Sequence, residues 1–444
     1  MKQPLAKLGY AVLFVVLLPA LLYGWARQTE SLVPLPLPAW PALPFAAAGA
    51  ILLCGGMWQL WRDGGGLPMN AFPPPRLVTT GLFRLLPHPI YTGFTLLCIA
   101  ASLQLRSASG LYLVTPVVAL GAAALALGYE RPDLIARFGP AARRPIALLR
   151  PLAPLWPPLR NAAQRIANSW REWRIGPVRV INHGFYAGLG TLLGLCLITA
   201  ATPPALAWPV FFTVLAGIAG AGLWAQLVEG SPRLLRPYGF YGGLLGVTLA
   251  CALFDARFLL WGAHSLAGPV VQACGRLRCL VQGCCHGAPC GAAAGIVYRR
   301  PESRVTRIAH LDGVPLHATQ LYSILWNAAT FFVLASLWRA AAPLQLISAL
   351  WLILNGIGRF VEEAYRGEPQ TKSFAGLHLY QWLAIASVLG GILVSCASRV
   401  PAAPPLSLAQ VNLPLALAGF LVTSFALGVD FPASNRRFAR LTSA

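Results

Sequence analysis

A series of apolar windows, each about long enough to cross a bilayer, dominates the chain. They lie near residues 7–25, 43–61, 90–105, 109–128, 183–201, 208–228, 238–262, 264–283, 319–338, 343–365, 377–396 and 412–429. A polypeptide in hydrocarbon must satisfy its backbone polar groups internally, so windows of about 20 apolar residues are expected to be helices. The pattern therefore predicts an all-α, polytopic integral membrane protein with about twelve transmembrane helices.

The composition agrees with a membrane protein and excludes an ordinary soluble domain. Hydrophobic residues make up 57% of the chain and charged residues only 11%. Lys and Arg number 34 against 13 Asp and Glu, and in a membrane chain such an excess is typical of cytoplasmic loops that face anionic lipid. We therefore expect a membrane partner and no nucleic acid. The first window follows Lys2 and Lys7 without a clear small-residue cleavage site, which favours a retained helix.

Residues 130–180 form the longest interruption between apolar windows and are rich in arginine and proline. This composition places a domain boundary near residue 165. We expect two helical membrane domains, residues 1–165 and 166–400, and an additional transmembrane helix with a basic tail over 401–444.

The first domain carries a polar motif at Leu77–Leu97, LVTTGLFRLLPHPIYTGFTLL. With a later segment it resembles the isoprenylcysteine carboxyl methyltransferase and phospholipid methyltransferase families, whose patterns are T-x-G-x-x-R-x-x-R-H-P-x-Y-x-G and E-E-x-x-L-x-x-x-F-G-x-x-Y. The matching residues are Thr80, Gly81, Arg84, His88, Pro89, Tyr91, Gly93, Glu130, Leu134, Phe138 and Gly139. Pro87, Arg131 and Ala142 depart from the patterns.

This resemblance implies that S-adenosylmethionine binds at the cytoplasmic face. The residues implied in cofactor binding are His88, Pro89, Tyr91 and Glu130. The alternative is a degenerate scaffold that methylates nothing, because the lost groups are polar ones suited to a zwitterionic cofactor.

Three stretches of the second domain combine ionisable and polar residues with apolar surroundings: Cys274–Gly291, His317–Asn327 and Gly358–Gln370. Ionisable groups at membrane depth are costly and are kept mostly for chemistry or transport. In this order the stretches resemble the motifs G-R-x-x-x-F-x-x-G, H-P-x-Q-L-Y and R-F-x-x-E-x-x-R of the prolipoprotein diacylglyceryl transferases. The chain departs from common forms of the family at Tyr241, where histidine is frequent, and at Cys279 and Gln282-Gly283-Cys284.

The resemblance implies transfer of a diacylglyceryl group from phosphatidylglycerol to a cysteine thiol, with no cofactor. Arginine suits a phosphate leaving group because its planar fork binds two oxygens, and we choose Arg276 and Arg359 as the phosphate clamp. Tyr241 and His286 are candidates for deprotonating the acceptor or binding the headgroup. The remaining substrate-binding candidates are Tyr186, Gly275, Gln282, Gly287, His317, Gln320, Tyr322, Glu363 and Arg366.

Two of these groups have plain structural alternatives. Arg359, Glu363 and Arg366 recur at i, i+4 and i+7 on one helical face, where they could equally neutralise one another at a helix end. Gln320, with Ser323 and Asn327, forms a stripe that interhelical hydrogen bonding alone would explain.

The cysteines of the Cys274–Gly291 stretch follow the spacing C-x4-C-x4-C-C-x4-C, which matches no zinc or iron–sulfur pattern. On one helix, Cys274 and Cys285 would be too far apart to share an ion unless the helix breaks at Gly283. We therefore expect no metal and no redox role for Cys284-Cys285.

Three functions follow from these motifs. The first is a lipid transferase of a bacterial cytoplasmic membrane, with a phospholipid donor and a lipoprotein precursor or other acceptor. The second is an S-adenosylmethionine-dependent methyltransferase whose second half presents the lipid, and the third is a non-catalytic lipid-binding or transport bundle.

The charge distribution and the family resemblance disagree about sidedness. Counting spans from a cytoplasmic N-terminus puts the arginine-rich loop 284–318 in the cytoplasm, whereas the resemblance implies a periplasmic active site. A miscounted span, a re-entering segment such as 146–158, or an inward-facing second half would each reconcile the two.

Overall fold

The computed structural model describes residues 2–67, 69, 72–142, 153–228, 230, 239–367, 373–397 and 400–431. The chain divides into two compact units, residues 1–151 and 152–444. The proposed re-entering segment lies outside the described residues over 146–152, and so does the basic tail from 432 onward.

Every regular element that the structure describes in the first unit is a helix. Its helices are α1 (Lys2–Val12), α2 (Leu18–Thr29), α3 (Ala42–Arg62), α4 (Gly81–Leu85), α5 (Pro89–Gln104), α6 (Thr115–Leu125) and α7 (Arg131–Phe138), with π-helical segments at Leu13–Leu17, Gly110–Val114 and Ala126–Glu130 and 3-10 turns at Glu30–Leu32 and Gly139–Ala142. The carboxylate of Glu30 accepts hydrogen bonds from Ser107 Oγ at 2.5 Å and from the Ala108 amide at 2.8 Å. This carboxylate therefore fixes the end of α2 against the segment that leads into α6.

The second unit contains ten helices among the described residues and several very short strands. The helices are α8 (Trp156–Ala167), α9 (His183–Ala201), α10 (Ala207–Leu227), α11 (Phe240–Cys251), α12 (Arg257–Gln282), α13 (Arg304–Arg307), α14 (Thr319–Arg339), α15 (Leu344–Ala364), α16 (Leu379–Ser395) and α17 (Leu413–Gly428), with 3-10 turns at Pro204–Leu206 and Leu408–Gln410. The strands are β1 (Glu172–Ile175), β2 (Val178–Ile181), β3 (Gly295–Ile296), β4 (Leu316–His317), β5 (Ser373–Phe374), β6 (Leu377–His378) and β7 (Val429–Asp430).

A small antiparallel sheet closes the second unit. Its strand order is β1-β2-β7, with Glu172 opposite Ile181 and Arg179 opposite Asp430. The guanidinium of Arg179 donates to both carboxylate oxygens of Asp430, at 2.9 and 2.8 Å. Because Asp430 is buried, this fork joins the hairpin that precedes α9 to the end of α17.

Helix α15 lies at the centre of the second unit. Its residues are buried along most of its length, and it packs against α12, α14 and α16. The apolar part of the core gathers residues from several helices around Leu260, Leu334, Ile347 and Trp351. This packing fixes the end of α15, where the charged residues of the third motif begin.

The predicted fold class is confirmed, but the number of twelve spans is not. Within the described ranges, seven helical stretches are long and apolar enough to cross a membrane, namely Lys7–Leu32, Ala42–Arg62, Gly110–Phe138, His183–Ala201, Pro204–Leu227, Thr319–Arg339 and Leu344–Ala364. Shorter apolar helices are Pro89–Gln104, Phe240–Cys251, Leu379–Ser395 and Leu413–Gly428. The protein is therefore a multi-pass membrane protein by length and composition.

One helix boundary differs from the one that the apolar windows predict. The windows 238–262 and 264–283 place it near His264, but α11 ends at Cys251 and α12 begins at Arg257. His264 lies inside α12, where its Nε2 is 2.8 Å from Thr213 Oγ1. The Oγ of the next residue, Ser265, is 3.2 Å from Ser348 Oγ. Polar groups with partners on neighbouring helices do not interrupt a helix, and these partners are invisible to a hydropathy window.

Candidate active site

The site begins where α12 ends and the chain reverses direction. Gly283 has φ +73°, a left-handed conformation that glycine adopts without a Cβ penalty. Cys285 also has a positive φ of 57°, which is uncommon for a residue with a side chain. The Thr319 hydroxyl donates to the Cys285 carbonyl at 2.7 Å, and Gln320 Nε2 donates to the Cys284 carbonyl at 2.9 Å. The start of α14 therefore holds the turn in its strained form.

Backbone hydrogen bonds then join the three polar motifs. The Gly287 amide donates to the His317 carbonyl at 3.2 Å, the Ala288 amide to the Tyr365 carbonyl at 2.9 Å, and the Gly367 amide to the His286 carbonyl at 3.0 Å. A Cβ on Gly287 would lie 2.3 Å from the His317 carbonyl oxygen. Only glycine permits this approach, so the first motif packs between the second and the third.

Ion pairs connect the arginines that the motifs predict. Arg276 Nη2 donates to Glu362 at 2.7 Å, and Arg359 donates to the same Glu362 oxygen at 2.9 Å. Arg359 Nη2 also donates to Glu363 at 2.7 Å, and Arg366 Nη1 lies 3.3 Å from that Glu363 oxygen. We call these five residues the arginine–glutamate cluster. Its two carboxylates bridge three guanidinium groups, all of them largely or fully buried.

Arg366 is the member of the cluster with unused donors. Its side chain is 3% exposed, and among the described residues its Nε and Nη2 atoms have no hydrogen-bond partner. Buried donors without partners are costly. This edge of the guanidinium is therefore ready to bind an anion.

Tyr241 offers a second unused polar group beside the cluster. Its ring stacks on Tyr380 with centroids 5.8 Å apart, and the guanidinium of Arg359 lies 4.7 Å from the centroid of the other ring. Within the part of the chain that the structure describes, the buried Tyr241 hydroxyl has no hydrogen-bond partner. A hydroxyl in this position suits hydrogen bonding to a ligand.

Three thiols meet beside the same arginines. The sulfur atoms of Cys279, Cys284 and Cys285 all lie within 4.8 Å of one another, and we call them the thiol cluster. The pKa of the Cys285 thiol lies well below its usual value because Cys279 and Cys284 hydrogen bond to it and because Arg366 and Arg276 face it, although burial opposes the shift. Cys274 and Cys290, the other cysteines of this stretch, are not members of the group.

The histidines and Gln282 border this region. His286 is buried, and its Nδ1 is 3.0 Å from the Gly287 carbonyl. Because a carbonyl only accepts, this contact favours the tautomer with the proton on Nδ1. His317 Nδ1 lies 3.1 Å from the Tyr322 hydroxyl. Gln282 Oε1 lies 3.4 Å from Cys284 Sγ.

Two predicted site residues have less polar surroundings. Tyr186, on α9, packs against a small group formed by Trp170, Ile181 and Val281. A Cβ on Gly275 would meet no atom within 4 Å, so this glycine next to Arg276 borders open space.

The spacing argument missed two residues of the site. Glu362 was overlooked because the pattern i, i+4, i+7 was followed from Arg359, although position i+3 also lies on that helical face and Glu362 is the residue that joins Arg276 to Arg359. Tyr380 lies in a different part of the sequence, at the start of α16. No local pattern signals its contact with Arg359.

In the first unit, three of the predicted cofactor residues converge. Tyr91 Oη donates to Glu130 Oε1, and His88 Nδ1 lies 3.2 Å from Glu130 Oε2. The rings of His88 and Tyr91 stack with centroids 5.8 Å apart. Pro89 begins α5 directly after His88 and sets the helix start that carries Tyr91. The carboxylate remains partly exposed.

Comparison with known proteins agrees with both halves of the motif analysis. Residues 172–397 match the family model described as prolipoprotein diacylglyceryl transferase, and residues 43–141 match that of phospholipid methyltransferase. Phosphatidylglycerol–prolipoprotein diacylglyceryl transferase 2 of Clostridium perfringens is 27% identical over 239 residues, which are 49% of this chain and 90% of the relative. The corresponding enzyme of Bordetella bronchiseptica is 28% identical over 49% of this chain and 90% of its own length. That of Burkholderia mallei is 32% identical over 35% of this chain and 62% of its own length.

Proposed function

The chain belongs to the prolipoprotein diacylglyceryl transferase family, and we propose that it moves a diacylglyceryl group from phosphatidylglycerol to the cysteine thiol of a lipoprotein precursor. We place this activity in a bacterial cytoplasmic membrane, in keeping with its bacterial relatives.

The observation that carries the proposal is the buried, unpaired edge of Arg366. A phosphodiester oxygen pair is the ligand that best fits two N–H groups of a guanidinium, because the contact is bidentate and charge-assisted. Arg276 also belongs to the arginine–glutamate cluster, and it donates to Glu362 and Ser323. Arg359 directs both terminal nitrogens at glutamates, so in this proposal it positions the carboxylates while Arg276 and Arg366 bind the phosphate.

The reaction is an alkylation of sulfur. The acceptor sulfur attacks the glycerol carbon that bears the phosphate ester, the C–S bond forms, and the C–O bond breaks. Glycerol phosphate leaves with the bonding electron pair, and the arginines stabilise the charge that develops on its oxygen. His286 Nε2 is a candidate base for the thiol proton, and the Tyr241 hydroxyl is a candidate donor to the lipid headgroup.

The test is transfer from labelled phosphatidylglycerol to a cysteine-containing acceptor peptide by purified full-length protein. Arg276→Ala and Arg366→Ala each remove charged hydrogen bonds to the leaving group, and we expect turnover to fall about 100-fold or more. Arg299→Ala, an exposed arginine of the same unit, is the matched control and should keep full activity. Folding is checked by thermal unfolding.

Two outcomes would overturn the assignment. Activity that survives both arginine changes would exclude this clamp. Binding of phosphatidylglycerol without any turnover by the parent protein would favour a lipid-binding or transport bundle instead.

A second candidate activity, methyl transfer by the first unit, is favoured by the convergence of His88, Tyr91 and Glu130. Glu130 is in contact with Tyr91 and His88, and a carboxylate can accept more hydrogen bonds than these two. Because Glu130 is also partly exposed, its remaining acceptor capacity fits the ammonium group of S-adenosylmethionine. When bound, that cofactor supplies an electrophilic methyl group. The Glu130 carboxylate would hold the ammonium group of the cofactor, and Tyr91 and His88 would fix the orientation of the Glu130 carboxylate.

Isothermal titration of the full-length protein with S-adenosylmethionine tests this candidate. We expect binding by the parent and by Arg366→Ala, and a loss of binding in Glu130→Gln. No heat of binding at high micromolar cofactor would exclude methyl transfer and leave the degenerate scaffold.

A further inference from the structure

The proposed lipid chemistry assigns no role to the thiol cluster. Its three sulfurs come from the end of α12 and from the turn that follows it. The turn brings Cys284 and Cys285 back towards Cys279 because α12 ends at Gln282 and Gly283 takes a left-handed conformation. Cys274 is not one of the three sulfurs, and α12 ends before Cys284 and Cys285, so the distance between Cys274 and Cys285 on one continuous helix does not exclude a metal here.

We propose that Cys279, Cys284 and Cys285 hold a zinc ion whose fourth position takes the acceptor thiol. The inference rests on the proposed transfer reaction and adds to it the means of activating the nucleophile.

The distances suit zinc. Tetrahedral zinc with Zn–S bonds of about 2.3 Å places its sulfur ligands about 3.8 Å apart. The three sulfurs already lie within 4.8 Å of one another, so side-chain rotations that move the sulfurs by about 1 Å would bring them to the separation of zinc ligands. Three protein ligands and one open position are the arrangement of a catalytic zinc site.

The turn is held in the form that the site needs. Thr319 and Gln320 bind the carbonyl groups of Cys285 and Cys284, and these bonds keep Cys285 at a positive φ. A strained residue that neighbouring groups hold in place is typical of a functional site.

The local charges favour a divalent ion. Three thiolates and one Zn²⁺ have a net charge of −1, whereas three thiolates and one Cu⁺ have a net charge of −2. The arginine–glutamate cluster has one more guanidinium than carboxylates, so it supplies one positive charge to offset a negative site. The site with Zn²⁺ therefore has a smaller negative charge for the arginine–glutamate cluster to offset than the site with Cu⁺. Thiolate ligands in turn disfavour the hard divalent ions.

Zinc would supply what the acceptor lacks. Zinc held by the three thiolates would favour the thiolate form of an acceptor bound at its fourth position. The thiol proton would pass to His286 Nε2, the candidate base named above, and the sulfur would attack the glycerol carbon. The C–O bond to the phosphate breaks, glycerol phosphate leaves with the electron pair, and the neutral thioether product dissociates from the metal. At pH 7 an ordinary thiol of pKa about 8.5 is only about 3% thiolate, so full deprotonation is worth up to about thirtyfold in rate.

The first test is metal binding by the purified full-length protein, with Zn²⁺ and Co²⁺ as probes. We expect one ion per chain by elemental analysis and, with Co²⁺, the near-ultraviolet absorption of thiolate-to-metal charge transfer. Cys279→Ser, Cys284→Ser and Cys285→Ser should each lose it. Cys274→Ser and Cys290→Ser are matched controls from the same stretch and should keep it.

Three results of this test would overturn the site. They are no bound ion, an ion retained by any of the three cluster variants, or a thiol count that rises by two on reduction and so reveals a disulfide.

The second test separates the metal from the transferase function. Removing zinc with a chelator should lower transfer by about thirtyfold, and added Zn²⁺ should restore it. Unchanged transfer by metal-free protein would refute the role of zinc while leaving the proposed function intact. Absence of transfer with zinc bound would refute the function and leave the metal site.

Discussion

Arg359 shows how far a single side chain in this site depends on the shape of its charged group. Its guanidinium spans two carboxylates, Glu362 and Glu363, and covers the ring of Tyr380. A lysine keeps the charge but is a point donor that cannot bridge both carboxylates while stacking on the ring.

We therefore expect Arg359→Lys to lose about 2–3 kcal/mol of transition-state stabilisation, which is about a thirtyfold to hundredfold drop in turnover. The loss should appear in kcat rather than in KM alone, since the residue positions groups that act in the transition state. Steady-state kinetics on phosphatidylglycerol vesicles measure it. A near-parental kcat would mean that Arg359 only anchors the end of α15.

Two glycines of the first motif should respond to substitution in opposite ways. Gly287→Ala places a methyl group 2.3 Å from a backbone oxygen, and overpacking of this kind costs about 1–3 kcal/mol. Gly275→Leu meets open space, so it should leave stability unchanged and lower kcat/KM by filling the space beside Arg276. Thermal unfolding and transfer kinetics of both variants distinguish these effects. A Gly275→Leu protein that melts early, or that transfers normally, would contradict this placement.

At the residue level the sequence was informative where a motif carries its own geometry. The spacing of Arg359, Glu363 and Arg366 predicts one helical face, and Arg359 and Glu363 do pair on α15. Because α15 ends at Ala364, Arg366 lies beyond the helix and reaches Glu363 from the residues that follow it. Tyr380 and the meeting of Cys279 with Cys284 and Cys285 depend on a helix packing and on a chain reversal. Neither has a signature in local spacing.

At the level of elements, α9 and α17 show why apolar windows predict helices better than they predict their neighbours. The two helices meet at glycines, where a Cβ on Gly184 would lie 2.4 Å from the Cα of Gly428. Windows near 183–201 and 412–429 predict both helices, and α9 (His183–Ala201) and α17 (Leu413–Gly428) agree with them. Hydropathy does not reveal that these two helices pair. Helix interfaces in membranes are marked by small residues and close backbone approach, and they are not more apolar than the surfaces that face lipid.

The same interface gives a prediction about stability. Gly184→Val forces a branched side chain against backbone that cannot move aside, so we expect a loss of about 1–3 kcal/mol. Gly390→Ala, in α16, is the matched control because nothing lies within 4 Å of its Cβ position. Thermal unfolding in detergent measures both. Equal melting temperatures for the two variants would show that α9 and α17 do not pack this closely.

For the whole molecule, the sidedness of the second unit follows from the proposed acceptor. If the acceptor is an exported precursor, as proposed, it reaches the site from the outer side of the membrane, and Arg299, which is exposed, should then face outward. In whole cells with a permeable outer envelope, Arg299→Cys should react with a membrane-impermeant thiol reagent more than the parent chain does. Reaction only after the cytoplasmic membrane is opened would place the loop inside and support the arginine count of the sequence.

The fork between Arg179 and Asp430 has a consequence for the way this protein is made. The two residues are 251 positions apart in the chain, and a ribosome adds about 5–20 residues per second, so about 12–50 s separate their synthesis. Throughout that interval β2 can pair with β1 but lacks β7, and α9 lacks its contact with α17. The β1-β2-β7 sheet and the contact between α9 and α17 are therefore completed only after Asp430 has been translated.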